Sequence, residues 1–344
     1  MKLSFQAFEL KLKHPFTIAR GSSTVRTTVL VRLEHQGITG YGEAAPLARY
    51  HESPETVLDF LHKCPISQYP DEFSSERFLD SVEGVAPENY SAKASLDIAV
   101  HDWLGKKKSE PLWKHLCGEK HELPDTSMTI GIDVPEMIEK KVQEAERFSV
   151  LKVKLGSPHD EEIIKTIRAL TDKPIRVDGN EGWKEKELAR DRIQWLEDQN
   201  VQFVEQPMPS TQFDDLVWLR ARVKMPLFAD ESVKRESDIS VLTDAFDGIN
   251  IKLMKCGGVR EAIRMIRTAR KYGMKIMVGC MIETSVGIAA GMSVASLADY
   301  ADLDGNILIS NDPFQGTVND LNVLTLGDKP GLGVEPKAEL WLQR

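Results

Sequence analysis

The chain has 344 residues, 41% of them hydrophobic and 28% charged, with a formal net charge of -9 and a pI near 5.5. This acidic balance argues against a nucleic acid or an anionic membrane as a partner. No run approaches the roughly 18 apolar residues of a membrane span, and the N-terminus lacks the apolar core of a signal peptide. The four scattered cysteines favour reduced thiols and a cytoplasmic location.

Residues 1–120 are predicted to form an α+β domain in which three strands precede several helices. Alternation of apolar and polar residues predicts strands over 3–13, 27–34 and 38–43. Ser53 followed by Pro54 is typical of a helix start, since serine caps the helix and proline suits its first turn. A second helix is predicted over 92–104, where the apolar residues share one face.

From about residue 125 the pattern becomes a strand–helix repeat with a period of roughly 25 residues. The predicted strands end near Thr129, Lys154, Asp178, Glu205, Asp230, Lys252, Gly279 and, more weakly, Asp302. Eight such units predict a closed parallel TIM-type barrel. An open doubly wound sheet would carry a glycine-rich phosphate loop after an early strand, and none is present.

The end of the chain departs from this repeat. No eighth helix is evident after Asn306, so the α/β fold is predicted to be a (β/α)7β barrel over residues 121–319. The turn-rich tail, about 320–344, is expected to return to residues 1–120 and complete the capping domain.

Three carboxylates end three neighbouring predicted strands. Asp178, Glu205 and Asp230 would converge on one point, because a TIM barrel has its site at the C-terminal ends of its strands. Three ionised carboxylates repel one another unless a cation lies between them. Oxygen ligands favour a hard divalent ion such as Mg²⁺. A single acid at a strand end is usually a surface or capping residue, but three in register predict a metal site.

Two lysines flank the predicted metal site on opposite sides. Lys154 ends the second barrel strand and Lys252 the sixth, and strands four apart in a ring of eight face each other. Two bases on opposite faces of one carbon are what removal and return of a proton with inversion requires. Lys152 points to the same side of its strand as Lys154 and adds positive charge there. For Lys252 alone, a structural ion pair is the alternative.

Further acidic residues follow the last two predicted strands. Asp302 and Asp304 lie on one side of an extended segment, where they would bind a substrate cation such as an α-ammonium group. A solvated turn before Gly305 is an equal alternative. Glu283 lies just past the seventh strand and would serve as a site wall or, as we favour, as the acid at a helix N-terminus.

Together, the Lys152-x-Lys154 pair, the three carboxylates and Lys252 resemble the enolase superfamily in its muconate-lactonizing-enzyme subgroup. A Lys or His base with Mg²⁺ is a known property of that superfamily, not a conclusion from the spacing. The resemblance covers nearly the whole chain. Its further motifs are Gly42-Glu43-Ala44-Ala45-Pro46, Val177-Asp178-Gly179-Asn180, Val204-Glu205-Gln206-Pro207, Ala229-Asp230-Glu231-Ser232 and Lys252-Leu253-Met254-Lys255-Cys256-Gly257-Gly258.

Within the subgroup, the Asp302-x-Asp304 pair resembles the dipeptide epimerases, in which it holds the N-terminal ammonium of the substrate. The resemblance implies one Mg²⁺ on the three carboxylates, and Lys154 and Lys252 as the acid/base pair. It also implies that Thr129 and Lys152 help to hold the substrate. The implied reaction inverts the C-terminal α-carbon of L-Ala-D/L-Glu or a related Ala-Xaa dipeptide, and the commonest members act on a murein peptide fragment.

Substrate preference in these enzymes depends on loops of the N-terminal domain. Arg20 lies in the polar loop 20–24, where it would pair with an acidic side chain, but Gly21 occupies the position at which the family pattern carries an arginine. Ala-Glu and neutral dipeptides such as Ala-Ala therefore both stay open. From its residues alone, the loop is more typical of a solvated hairpin tip than of a segment that closes over a ligand.

Other activities of the subgroup are the alternatives. An o-succinylbenzoate synthase or a muconate cycloisomerase needs one base and binds no substrate amine. An N-acylamino acid racemase needs both lysines but again binds no free amine. Asp302 and Asp304 therefore favour the epimerase. A non-enzymatic barrel that binds a metal-chelated ligand without turnover would not need both lysines. The sequence leaves open whether the protein forms a homo-oligomer.

Overall fold

The computed structural model describes residues 1–68, 74–119, 122–316, 319–320, 323–337 and 340. The chain begins with an antiparallel sheet in the order β1-β2-β3. Its strands are β1 (Lys2–Ile18), β2 (Gly21–His35) and β3 (Ile38–Ala44). The first two are longer than predicted and form a hairpin with a register shift between Lys11 and Phe16.

The α-helices described after this sheet are α1 (Pro54–Lys63), α2 (Ser75–Glu83), α3 (Tyr90–Lys108) and α4 (Leu112–Cys117). The α1 start confirms the sequence signal, because Ser53 and Thr56 form a reciprocal capping box and Pro54 stands at the first helical position. Val29 and Val31 of β2 face the core of these helices, whereas Leu30 between them faces the core of the barrel.

Eight parallel strands form the barrel in sequential order. They are β4 (Ser127–Ile130), β5 (Val150–Lys154), β6 (Ile175–Asp178), β7 (Val201–Glu205), β8 (Leu227–Ala229), β9 (Gly248–Lys252), β10 (Lys275–Gly279) and β11 (Tyr300–Asp302). A parallel bridge between Thr126 and Ala301 joins the last strand to the first. The predicted TIM-type architecture is confirmed.

Helices occupy all seven connections between these strands. They are α5 (Pro135–Glu144), α6 (Asp160–Arg168), α7 (Lys186–Leu196), α8 (Phe213–Arg220), α9 (Ile239–Leu242), α10 (Leu253–Cys256), α11 (Val259–Lys271) and α12 (Ser285–Ala295). After β11 the described residues contain only short strands, as the (β/α)7β prediction requires. These are β12 (Phe314–Gln315), β13 (Asn319–Asp320), β14 (Val323–Leu324) and β15 (Glu335–Pro336).

The tail returns to the helices of the first domain. The Gly331 N–H donates to Glu110 O and its carbonyl accepts from Leu112 N, while Leu332 N donates to Asp102 Oδ1 at 2.8 Å. These contacts are the ones expected if the tail completes the capping domain. The domain limits themselves stay a prediction, and parts of the 320–344 tail lie outside the described residues. Among the described helices, none is long and apolar enough to cross a membrane.

A buried glutamate joins the two parts of the chain. Glu43, at the end of β3, accepts hydrogen bonds from Thr284 N and Gly287 N at the start of α12, both about 3 Å long. Its carboxylate thus satisfies amides that a helix N-terminus leaves unpaired. Glu283, which we favoured from the sequence as the acid at this helix N-terminus, directly precedes the cap residue Thr284, but these amides donate to Glu43. The Glu283 carboxylate accepts instead from Met281 N at 2.6 Å.

Candidate active site

The β1–β2 hairpin places its tip on the mouth of the barrel. Thr17 O accepts a hydrogen bond from Ile132 N at 3.0 Å. The Arg20 guanidinium contacts Glu231 Oε1 at 2.7 Å and donates to Asn180 O at 2.8 Å. Residues 19–22 are exposed, as predicted for a hairpin tip, but Thr17 and Arg20 fix the hairpin to the barrel. The tip covers one side of the cavity at the C-terminal ends of the strands.

The three predicted carboxylates meet at this end of the barrel. Asp178 ends β6, Glu205 ends β7 beside it in register, and Asp230 directly follows β8. Each offers an oxygen within 4.8 Å of the others, and all three side chains are buried. A buried all-oxygen donor set of this size fits a hard divalent cation.

Electrostatics inside the triad also favour a bound cation. Burial and the neighbouring Asp178 carboxylate raise the pKa of Glu205 to about 7. For Asp178, burial opposes ionisation, but Lys154 and Lys152 outweigh it and lower its pKa to about 2. Lys252 and Lys255 likewise hold the pKa of Asp230 well below its usual value against the effect of burial. Glu205 is therefore the member of the triad whose ionisation a bound cation would favour.

The two predicted bases reach the triad from different strands. Lys154 Nζ, on β5, lies 2.7 Å from Asp178 Oδ2, and Lys252 Nζ, on β9, lies 2.8 Å from Asp230 Oδ2. Strands β5 and β9 are four apart in the ring of eight. The lysines thus approach the carboxylates from opposite walls, in the arrangement expected from their spacing.

Lys152 is held more tightly than either of those lysines. Its ammonium lies 2.7 Å from Glu205 Oε2 and 2.6 Å from Asp302 Oδ2, with Asp178 Oδ2 at 3.3 Å. Burial alone would lower the pKa of Lys152, but these carboxylates outweigh it and hold the pKa well above its usual value. Lys152 is therefore a fixed positive charge beneath the site.

The aspartates after the last strand have different partners. Asp302 accepts from Ser127 Oγ at 2.7 Å and is paired with Lys152. Asp304 accepts from Thr129 N at 2.7 Å and forms no ion pair within the described residues. Burial and the neighbouring Asp302 raise the pKa of Asp304 to about 6. Neither aspartate lies in a solvated turn, because both side chains are buried.

Comparison with known proteins identifies the family. Residues 3–118 match the model of the mandelate racemase/muconate lactonizing enzyme N-terminal domain, and residues 136–340 match the enolase C-terminal domain-like model. The chain belongs to the mandelate racemase/muconate lactonizing enzyme family of the enolase superfamily. The family resemblance read from the sequence motifs is confirmed.

Among curated members of the family, an L-Ala-D/L-Glu epimerase of Bacteroides thetaiotaomicron is 47% identical over 97% of this chain and 88% of its own. Two solved structures also align over nearly all of the chain. A dipeptide epimerase of Enterococcus faecalis, complexed with Mg and L-Leu-L-Tyr, has a TM-score of 0.90 at 30% identity, covering 97% of this chain and 99% of its own. An N-succinyl Arg/Lys racemase of Bacillus cereus has a TM-score of 0.91 at 29% identity, covering 98% and 96%.

Two further residues of this family member touch the triad and were missed from the sequence. Asn250 Nδ2 donates to Glu205 Oε1 at 2.7 Å, and Lys255 Nζ pairs with the Asp230 carboxylate and donates to Asp230 O at 2.6 Å. Asn250 precedes Lys252 by two residues on β9, so strand alternation would have placed it on the same side. Lys255 lies in the short helix α10, where no strand periodicity applies.

Proposed function

We propose that the chain is a Mg²⁺-dependent epimerase that inverts the C-terminal α-carbon of a dipeptide of the Ala-Xaa type. The observation that carries the proposal is the placement of Lys154 and Lys252 on opposite walls of the barrel, each against a different carboxylate of the triad. A substrate α-carbon between them would present one face to each ammonium or amine. Epimerisation by proton removal and return needs this pair.

Asp178, Glu205 and Asp230 would hold the metal. When bound there, Mg²⁺ supplies positive charge that stabilises the substrate carboxylate as the α-proton leaves. Lys154 takes the proton from one face and Lys252 delivers a proton to the other, and the roles exchange in the reverse direction. Asn250 and Lys255 would orient Glu205 and Asp230, as outer hydrogen bonds to metal ligands generally do.

The N-terminal ammonium of the dipeptide would lie at Asp304, supported by Asp302 and Thr129. Asp304 is buried, anionic and without an ion pair in the described part of the chain, so a substrate cation would compensate it. Asp302 already pairs with Lys152, so its carboxylate would support both the Lys152 ammonium and the substrate ammonium. A lyase or cycloisomerase of the family has no amine to place there, so these aspartates favour the epimerase.

The decisive experiment follows deuterium incorporation. The protein with Mg²⁺ is incubated in D₂O with a small set of L,L-dipeptides, and exchange at the C-terminal α-carbon is measured by NMR. We expect exchange together with inversion. If no dipeptide exchanges and a succinylbenzoate precursor is turned over, the epimerase proposal is wrong.

Variants of the two lysines test the two-base arrangement. Lys154→Met and Lys252→Met should each lower epimerisation by about 100- to 10,000-fold, the usual range for a lost general base. Each should still exchange the α-proton of one diastereomer, and the two variants should differ in which one. Lys165→Met, on the exposed face of α6, is the matched control and should behave like the wild type. Exchange of both diastereomers by both variants would contradict the assignment.

We also propose a cytoplasmic protein with a capping domain of residues 1–120, completed by about 320–344, and a catalytic barrel of 121–319. The four cysteines are unpaired in the structure, as expected of reduced thiols. Self-association into a homo-oligomer stays a prediction, which light scattering of the purified protein would test.

A further inference from the structure

Six cationic side chains line the active-site cavity, and five of them are paired within the chain. Lys152, Lys154 and Lys252 contact the buried carboxylates described above. At the rim, Arg20 contacts Glu231 at 2.7 Å, and Arg49 contacts Glu181 at 2.8 Å. These five cations therefore do not need a substrate anion to balance them.

Arg26 is the sixth cation, and it has no such partner. The residue lies on β2, half-buried, and lines the cavity. Within the described residues its guanidinium forms neither a hydrogen bond nor an ion pair, and burial lowers its pKa with no acid to oppose the effect. An arginine has five donor N–H groups, so leaving all of them without a protein acceptor in a partly buried position is costly.

The strand fixes the direction in which Arg26 points. It shares a face of β2 with Thr28, which donates to Glu43 Oε1, and with Leu30, which packs into the barrel core. Leu10 lies opposite Arg26 in register on β1. Leu10 itself is buried in a small apolar cluster with Ile282 and Ile309. Arg26 is thus a cation presented to the cavity from an otherwise apolar wall.

The cavity also contains one unmatched anion, because Asp304 has no ion pair among the described residues. A ligand that balances both groups needs a cation for Asp304 and an anion for Arg26, in addition to a carboxylate at the metal triad. A dipeptide has one ammonium and one terminal carboxylate, so only its side chains can supply the second anion.

We propose that Arg26 is a specificity-determining residue that binds an acidic side chain, of the glutamate or aspartate type, on the residue that is epimerised. The inference rests on the proposed function and narrows its substrate class. Arg26 donates to the side-chain carboxylate, and a neutral side chain in the same place would cover the guanidinium without pairing it. Selectivity therefore comes both from the favourable pair and from the cost of an unpaired charge.

The test compares L-Ala-L-Glu with L-Ala-L-Gln, which has nearly the same shape but no side-chain charge. The wild-type kcat/KM should be higher for L-Ala-L-Glu. Arg26→Gln should lower kcat/KM for L-Ala-L-Glu by about 30- to 1000-fold, chiefly by raising KM, as expected for loss of a charge pair. It should change kcat/KM for L-Ala-L-Gln by less than about threefold, and Arg26→Lys should restore part of the preference.

Arg20→Gln is the matched comparison, because Arg20 lines the same cavity but is already paired with Glu231. It should leave the Glu-to-Gln ratio of the wild type unchanged, whatever its effect on the absolute rates. Equal losses on both dipeptides in Arg26→Gln, or a wild-type preference for L-Ala-L-Gln, would overturn the role of Arg26 while leaving the epimerase intact. Turnover of an N-succinyl amino acid with no dipeptide exchange would overturn both proposals.

Discussion

At the scale of single residues, almost all of the charged side chains in the site form ion pairs with one another. Lys152 illustrates this, because three carboxylates hold its ammonium beneath the site. Such a residue cannot be exchanged without leaving a buried acid uncompensated. Asp302 and Asp304, which are two positions apart in the sequence, therefore have different partners. Asp302 is paired with Lys152, whereas Asp304 accepts from Thr129 N and has no ion pair among the described residues.

This difference predicts distinct effects of two similar substitutions. Asp304→Asn should raise KM for a dipeptide by about 10- to 100-fold through loss of a buried charge pair, and leave Mg²⁺ affinity unchanged. Asp302→Asn should weaken both, because it also releases Lys152 toward Glu205. Steady-state kinetics and calorimetric Mg²⁺ titration measure the two quantities. If Asp304→Asn leaves KM unchanged, Asp304 does not bind the ammonium.

At the scale of elements, close packing of β3 on α3 sets the position of the capping sheet. Gly40 and Gly42 face the helix, and a side chain at either position would collide with a backbone carbonyl, that of Ala99 or of Ser95. Glycine is required here for the close approach of the two backbones. Glu43, the next residue, thereby reaches the N-terminus of α12.

We expect Gly42→Ala to lower the free energy of unfolding by about 1–3 kcal/mol, the usual cost of overpacking. Gly327→Ala is the control, since a Cβ there would meet no atom within 4 Å, and it should change stability by less than about 0.5 kcal/mol. Urea denaturation followed by circular dichroism measures both variants. Equal stability of the two variants would contradict this account of the β3–α3 contact.

At the scale of the whole molecule, two buried acids lie where the capping sheet meets the barrel. Glu43 ends β3 of the sheet, and Glu283 follows β10 of the barrel. Burial and the nearby Glu43 carboxylate raise the pKa of Glu283 to about 8, and burial also raises that of Glu43. The hydrogen bond from Met281 N and the charge of Lys252 oppose the shift at Glu283 only in part. A raised folded-state pKa means that the protonated form of Glu283 is the one that the fold stabilises.

The sign of the pH dependence follows from this shift. In the unfolded chain Glu283 ionises near its usual value of about 4.3, so its contribution to stability is complete below that pH and is lost as pH rises toward 8. Glu283→Gln should remove this loss. The free energy of unfolding of the variant should therefore exceed that of the wild type by an amount that grows from about pH 5 to pH 8. Unfolding in urea across this range is the measurement. Glu146→Gln, at an exposed position, is the control and should track the wild type.

The sequence by itself determined the barrel, the triad and the opposed lysines. A strand–helix repeat fixes the order of the strands, and it also fixes the end of the barrel at which the side chains that follow each strand converge. Tertiary structure alone decided the rest. The hairpin tip looks solvated from its local residues, yet it lies on the barrel because Thr17 and Arg20 find partners 115 and more residues away. Whether Arg26, Asp304 or Glu283 has a partner is likewise a matter of distance in space, which a periodic pattern does not contain.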